Sequence, residues 1–408
     1  MFEIRRLEAD EMVQYDKMRS VVYNFRQDFS KEKDKKPDPL ANPPEWTRGV
    51  FNGKKLLAGM TELDFLMSFD GHKTKMSGIC AVGTFPEERM SGHIRRIFGQ
   101  LLPEAYEKGV VFSNLTPFAH EFYRKFGYET ACARNNISLN TRDFLALKPT
   151  GEFTQILPGD DTSALAKIHS AYIANLNHGI YRDHWPDNRA WKVFTRDDPF
   201  TTGMYLYLWR DEKGTPRSYI KFQDVAENGG HNMQVWELAF TDMKGLYGAL
   251  GIVGGLSAQF AKFKWVMPTF IDPFDFVGDA WSVGAEIKPR DMTRVVNVET
   301  ALGLMRRPAG EGAYAVEVAD ENIPANNGKW LVEYEACAAG GLRKSHVSRT
   351  KKSADISCDI RVLSQLITGY RSLENAMITR KSGLEVRKNI ETLKNVFTLR
   401  PQHVTEYF

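Results

Sequence analysis

The stretch Thr116 to Glu129 reads TPFAHEFYRKFGYE. It sets Tyr123 and Tyr128 on either side of a basic turn broken by Gly127. The segment reads as a short helix starting near Pro117, after which Tyr128 opens a strand. Either ring can fill a core. A phenol with its ordinary pKa of ~10 is also protonated at neutral pH and can donate that proton to a leaving group. Position favours Tyr123 for chemistry, provided that its helix points into a crevice, and Tyr128 for packing. His120 is a secondary candidate.

Working outward, EADEMVQYDKMRSVVYNF carries Met12, Tyr15, Met18, Val21 and Val22 on one helical stripe. KLLAGMTELDFLMSF and MSGICAVGTF read as strands, the first followed by an Asp70-Gly71 turn. MSGHIRRIFGQLLPEAYEKG reads as a helix ending at Gly109, VVFSNL as a short buried strand and NNISLNT as a closing strand. Together these make an α/β unit over residues 1–147. A similar order of elements recurs over 148–285, including the Gly-rich helix MKGLYGALGIVGGLSAQFAKF. Its GALGIVGG resembles a dinucleotide fingerprint, but it lies inside a helix, where glycines permit close packing. From 286 to 408 a hairpin, AYAVEVADENIPANNGKWLVEYEA, precedes helices, the pattern of an α+β unit.

Bulk composition narrows the function classes. The 408 residues predict roughly two to four domains. Hydrophobic residues at 42% and charged residues at 26% fit globular cores. A net charge of +3 gives no footprint for nucleic acid, and the basic runs Lys31 to Lys36 and Arg343 to Lys352 lack interleaved aromatics. Cys80, Cys132, Cys337 and Cys358 form no C-x-x-C pair, so neither a disulfide framework nor a metal site is expected. No run approaches the ~20 apolar residues of a membrane span, and the charged start MFEIRRLEADEM has no secretory pattern. The expected setting is the cytoplasm.

The strand-to-helix turn FPEERMSGHIRRIF carries the second candidate chemistry. Arg89, Met90, Ser91, Gly92, His93 and Ile94 would form a helix N-terminus whose free N–H groups favour an anion such as pyrophosphate. Gly92 admits a phosphate close to the backbone, and Arg95 and Arg96 can pair with its oxygens. A capped surface helix fits the same residues. Gly83, in CAVGTF, marks either a bulge or a close approach.

The order of these motifs resembles the GCN5-related N-acetyltransferases (GNAT). With TPFAHEFYRKFGYE, DMTRVVNVETAL and the aromatic Phe408, the chain resembles the enhanced-intracellular-survival (Eis) family. That resemblance implies two tandem GNAT-fold domains, the second degenerate, followed by a sterol-carrier-protein-like α+β domain. It implies acetyl-CoA as cosubstrate, with Val82, Gly83 and Thr84 along the pantetheine arm. Arg89 to Arg95 would hold the pyrophosphate, and Phe118 and Ala119 would touch the cofactor. Tyr123 would be the proton donor, and the α-carboxylate of Phe408 the general base. Ile94 departs from the small residue that usually closes the R-x-x-G turn. The acceptor is expected to be an aminoglycoside-, polyamine- or lysine-like amine, and the assembly a homo-hexamer. The competing expectation is a lipid or sterol carrier with a vestigial acetyltransferase domain.

Overall fold

The computed structural model describes residues 2–30, 38–227, 229–335 and 345–406. The basic run Lys31 to Lys36, residues Cys337, Arg343 and Lys344, and the expected base Phe408 lie outside these residues.

Three sheets organise the chain. The first contains β1 (Phe2–Arg6), β2 (Thr47–Asn52), β3 (Lys55–Phe69), β4 (His72–Thr84), β5 (Phe112–Leu115) and β6 (Glu129–Thr130). The expected turn between β3 and β4 is a two-residue hairpin with Asp70 at φ 47° and Gly71 at φ 86°. Both dihedrals suit the primed turn that matches strand twist. Helix α1 (Met12–Val22) buries Tyr15 and Met18 against this sheet. Helix α2 (His93–Glu107) connects the parallel strands β4 and β5. It buries Ile94, Ile97, Phe98, Leu101, Leu102 and Ala105, the 3–4 spacing of a helix with one apolar face.

One strand lies elsewhere than its sequence order suggests. NNISLNT was expected to close the first unit. Instead β7 (Ala133–Asn140) pairs with Lys262–Met267 and Gly284–Pro289 in the second sheet. The place between β5 and β6 is filled by Met292–Val295, a strand from beyond residue 286. The two sheets therefore exchange strands across the expected boundaries at 147 and 285. Alternation marks β7 as a strand, but its pairing is decided by partners more than a hundred residues away.

The second sheet runs Gly284–Pro289, β7, Lys262–Met267, Gly230–Phe240, Pro216–Glu227, Met204–Asp211, Gly151–Gln155. The glycine-rich run lies in the helix Met243–Gly255. A Cβ on Gly248 would sit 2.2 Å from Trp209 Cε3, and one on Gly254 2.3 Å from the Phe144 carbonyl oxygen. These glycines bring the helix close to Trp209 and to the Phe144 backbone.

The third sheet orders His346–Arg349, Gly328–Tyr334, Gly312–Ala319, Ile356–Asp359 and Leu384–Val386. Its core is continuous with the first sheet: Phe69, Phe112 and Val295 pack in one cluster with Val316, Trp330 and Leu363. Arg294, fully buried, fastens the two, binding Asp320 at 2.6 Å and the Phe126 carbonyl at 2.6 Å. Among the described residues no helix is long and apolar enough to cross a membrane.

Candidate active site

β4 and β5 pair only from Met76 to Ile79 against Phe112 to Leu115. Beyond Ile79 the ladder stops, which leaves an unpaired gap between the strands. A bulge helps to open it: Ala81 and Val82 stand against Met60 alone, between the pairs Gly59–Gly83 and Thr61–Cys80. Ala81 takes φ 50°, and extra residues of this kind bend a strand and re-aim its peptide groups.

β4 delivers Val82, Gly83 and Thr84 to the wall of this gap. The Val82 carbonyl already accepts a bond of 3.1 Å from the hydroxyl of Tyr23, which ends α1. Gly83 also lies close to α1. A Cβ there would meet Met18 Cε at 2.7 Å, so its smallness admits α1.

The turn that follows reaches α2 through Met90 at φ 66° and Gly92 at φ 74°. Arg96 N is the first to bond back, to the Gly92 carbonyl at 3.1 Å. The N–H groups at the head of α2 are therefore open to an incoming anion. Met90, Ser91, Gly92 and Arg95 are exposed, while the His93 and Ile94 side chains turn inward. Burial, with Arg96 beside it, lowers the His93 pKa, leaving a neutral ring packed edge-on against Phe2. His93 and Ile94 can offer backbone only. These residues fit the pyrophosphate of coenzyme A: a glycine in the left-handed region, free N–H groups and an exposed arginine.

Tyr123 lies in α3 (His120–Arg124), which Gly127 ends at φ 79°. A Cβ on Gly127 would sit 2.9 Å from both Arg294 Nη1 and Ile360 Cγ2, which explains the glycine inside YRKFGY. Tyr123 is 2% exposed and packs with Val82, Ile94 and Phe98 in one cluster. Phe118, Phe122 and Tyr128 ring it edge-on. Its hydroxyl has no hydrogen-bond partner among the described residues. Burial raises its pKa, so the proton stays on the oxygen. Tyr128 differs: it is fully buried, and its hydroxyl bonds Ser113 Oγ at 2.7 Å. Phe118 is exposed and Ala119 half-buried, at the entry to α3.

The chain as far as Glu406 is docked, not frayed. Asn177 pairs with Gln402, and Arg400 Nε reaches Asp70 at 3.2 Å. The buried Val404 and Thr405 lead to Glu406, which binds Arg182 Nε at 2.6 Å. Sequence reasoning missed Tyr23, Arg182, Glu237 and Arg290. None stands in a motif, and only the fold brings them to the gap and the tail.

Residues 3–131 match the family of acetyltransferase (GNAT) domains. Residues 3–131 form a GNAT acetyltransferase domain. The chain is accordingly an enzyme of the acyltransferase class. Residues 298–405 match the sterol carrier protein domain. Solved structures resemble the whole chain. A GCN5-related N-acetyltransferase from Anabaena variabilis superposes with a TM-score of 0.86 at 20% identity, covering 100% of both chains. A probable N-acyltransferase of unknown function from Enterococcus faecalis gives 0.82 at 20% identity, again over 100% of both. Eis1 from Mycobacterium abscessus gives 0.77 at 18% identity over 100% of both. No curated protein matches the chain by sequence. The architecture is two tandem GNAT folds and a sterol-carrier-protein-like domain. At the crossover helix of the second GNAT fold the N-cap is an acidic residue. There the Asp242 carboxylate accepts the Gly245 N–H at 2.8 Å, putting a negative charge where a phosphate would bind.

Proposed function

We propose that the GNAT domain moves an acetyl group from acetyl-CoA to a primary amine of the aminoglycoside, polyamine or lysine type, by direct attack in a ternary complex. The observation that carries this reading is the Tyr123 hydroxyl, buried, protonated and unpartnered at the wall of the β4–β5 gap. Val82, Gly83 and Thr84 would line the pantetheine arm. The turn Arg89, Met90, Ser91, Gly92, His93, Ile94 and Arg95 would take the pyrophosphate, with Phe118 and Ala119 at its edge. The bound thioester supplies the activated acetyl group. As the C–N bond forms and the C–S bond breaks, Tyr123 gives its proton to the departing sulfur. The α-carboxylate of Phe408 takes the proton that the ammonium releases. A reference pKa of ~3.3–3.7 keeps that carboxylate ionised at neutral pH. The test is turnover of Tyr123→Phe beside its affinity for acetyl-CoA: a large loss in the first at constant second supports the acid, and equal turnover removes it.

Membership of the Eis family, a cytoplasmic setting and a homo-hexamer belong to the same proposal. Trp281 at 96% exposure and Ile287 at 76% support an assembly, since a partner surface would cover them.

The carrier reading draws on the sterol carrier protein match at residues 298–405. Against it, among the described residues the pocket that Leu302, Met305, Tyr314, Tyr334 and Val396 line amounts to about 10 Å³, room for about one water. A sterol needs hundreds of Å³.

A further inference from the structure

Arg182 follows the short strand Ile180–Tyr181, which pairs with β3 at the junction of the first two domains. Its guanidinium uses all three of its nitrogens. Nη1 and Nη2 bind the two oxygens of Glu237 at 2.9 and 2.6 Å, and Nε binds Glu406 at 2.6 Å. The plane is held over the rings of Phe194 and Trp191, 4.2 and 4.9 Å from their centres. Tyr219 donates to Glu237 from the far side. Such a fork is rigid, because each donor has one fixed direction. Arg182 therefore behaves as a fixed point of the second domain, from which Glu406 hangs.

Glu406 is also held from the active-site side. Its main-chain oxygen accepts from Arg290 Nη2 at 2.9 Å, while Arg290 Nη1 donates to Thr116 Oγ1 at 3.1 Å and to Asp291 at 2.9 Å. Thr116 Oγ1 donates in turn to Asp291 at 2.8 Å. Thr116 opens the turn that enters α3 and carries Tyr123. An unbroken series of bonds thus runs from Arg182 through Glu406 and Arg290 to the segment of the proton donor.

A metal is the other occupant this cluster suggests. His169 offers two buried ring nitrogens without a partner, and its donor atom lies within 4.8 Å of those of Glu237 and Glu406. Arg182 already stands on both carboxylates with a full positive charge, so a second cation there would meet repulsion.

We propose that Arg182 is a positioning residue for acetyl transfer: it fixes the chain through Glu406 against the Arg290–Thr116 junction, and so sets the tail and α3 relative to each other. The proposal rests on the reading of Tyr123 as the acid. It assigns Arg182 no contact with substrate.

The test uses the full chain with Glu406→Ala and Glu406→Gln, which leave the Arg182–Glu237 pair intact. Hydrogen exchange over residues 398–406 and 114–122 is measured with kcat and KM for acetyl-CoA. Glu406→Ala is expected to speed exchange in both segments and to lower kcat about 10- to 100-fold, the weight of one charge-assisted hydrogen bond, with KM for acetyl-CoA unchanged. Glu406→Gln, which keeps an oxygen for Arg182 Nε, is expected to regain most of both. Full kcat in Glu406→Ala overturns the proposal, whether or not the tail exchanges faster. Equal loss in the two variants also overturns it, because the charge and not the position would then matter. Wild-type turnover in Tyr123→Phe removes the acid role alone, while the Glu406 pair still reports on the clamp.

Discussion

Arg290 donates to the main-chain oxygen of Glu406 at 2.9 Å, two residues before Phe408. The same guanidinium reaches Thr116, so the tail abuts the turn that leads to Tyr123. Two extended residues span at most ~7 Å, which limits how far from this junction the proposed base can work.

Tyr123→Phe keeps the buried ring and removes only the hydroxyl. Stability should change little, since no hydrogen bond is lost. Turnover should fall about 10²- to 10⁴-fold, the usual weight of a general acid. Steady-state kinetics alongside calorimetric titration with acetyl-CoA checks both halves.

Gly92→Ala tests the anion turn. Nothing within 4 Å would meet the new methyl, so the effect comes from the dihedral alone: at φ 74° an L-residue pays ~1–2 kcal/mol. Relaxing that strain turns the N–H groups away from the phosphate. Affinity for acetyl-CoA should drop about tenfold or more, while kcat at saturation holds. Titration by calorimetry reads the first and saturating kinetics the second.

The tail should loosen as pH rises. Burial and the neighbouring Glu237 push the Glu406 carboxyl up to about 7 from its ordinary 4.5, against the pull of Arg182. Glu237 goes the other way: burial would raise it, but Arg182 outweighs burial and brings it down to about 2. The other groups facing Glu406 include Lys221 with Asp197, His169 and Tyr219. A proton is bound more tightly in the docked state, so this contribution is complete below ~4.5 and is lost as pH climbs through about 7. Hydrogen exchange over 398–406, corrected for intrinsic rate, should show protection falling between pH 5 and 8 in the wild type. Glu406→Gln should show a flat profile.

Arg294→Met should cost about 3–5 kcal/mol, because it strands the fully buried Asp320 carboxylate. Gly127→Ala should destabilise in the same region, by pressing a methyl on Arg294 and Ile360 at a positive φ. Urea unfolding midpoints check both, and a neutral result in both would mean the first and third sheets do not depend on this junction.

Much of this was legible in the sequence because it is local. The Asp70-Gly71 hairpin, the apolar stripe of α2 and the glycine helix Met243–Gly255 each declare themselves within a few residues. The strand-to-helix turn before α2 did so too, through Gly92. Strand membership did not: period-two alternation in β7 says strand without saying which sheet. Arg182, Glu237 and Glu406 are 55 and 224 residues apart, and no pattern joins residues at that range before the chain folds. Gly83 is legible as the mark of a bulge, since it bounds the irregularity at Ala81 and Val82.

The most direct test of the account is release of coenzyme A thiol from acetyl-CoA by untagged protein, over a panel of aminoglycosides, polyamines, lysine peptides and arylalkylamines. Release above hydrolysis is expected with at least one amine, with an N-acetylated product, and both should be nearly lost in Tyr123→Phe. Protein that binds no acetyl-CoA, or equal release by wild type and Tyr123→Phe, would contradict it.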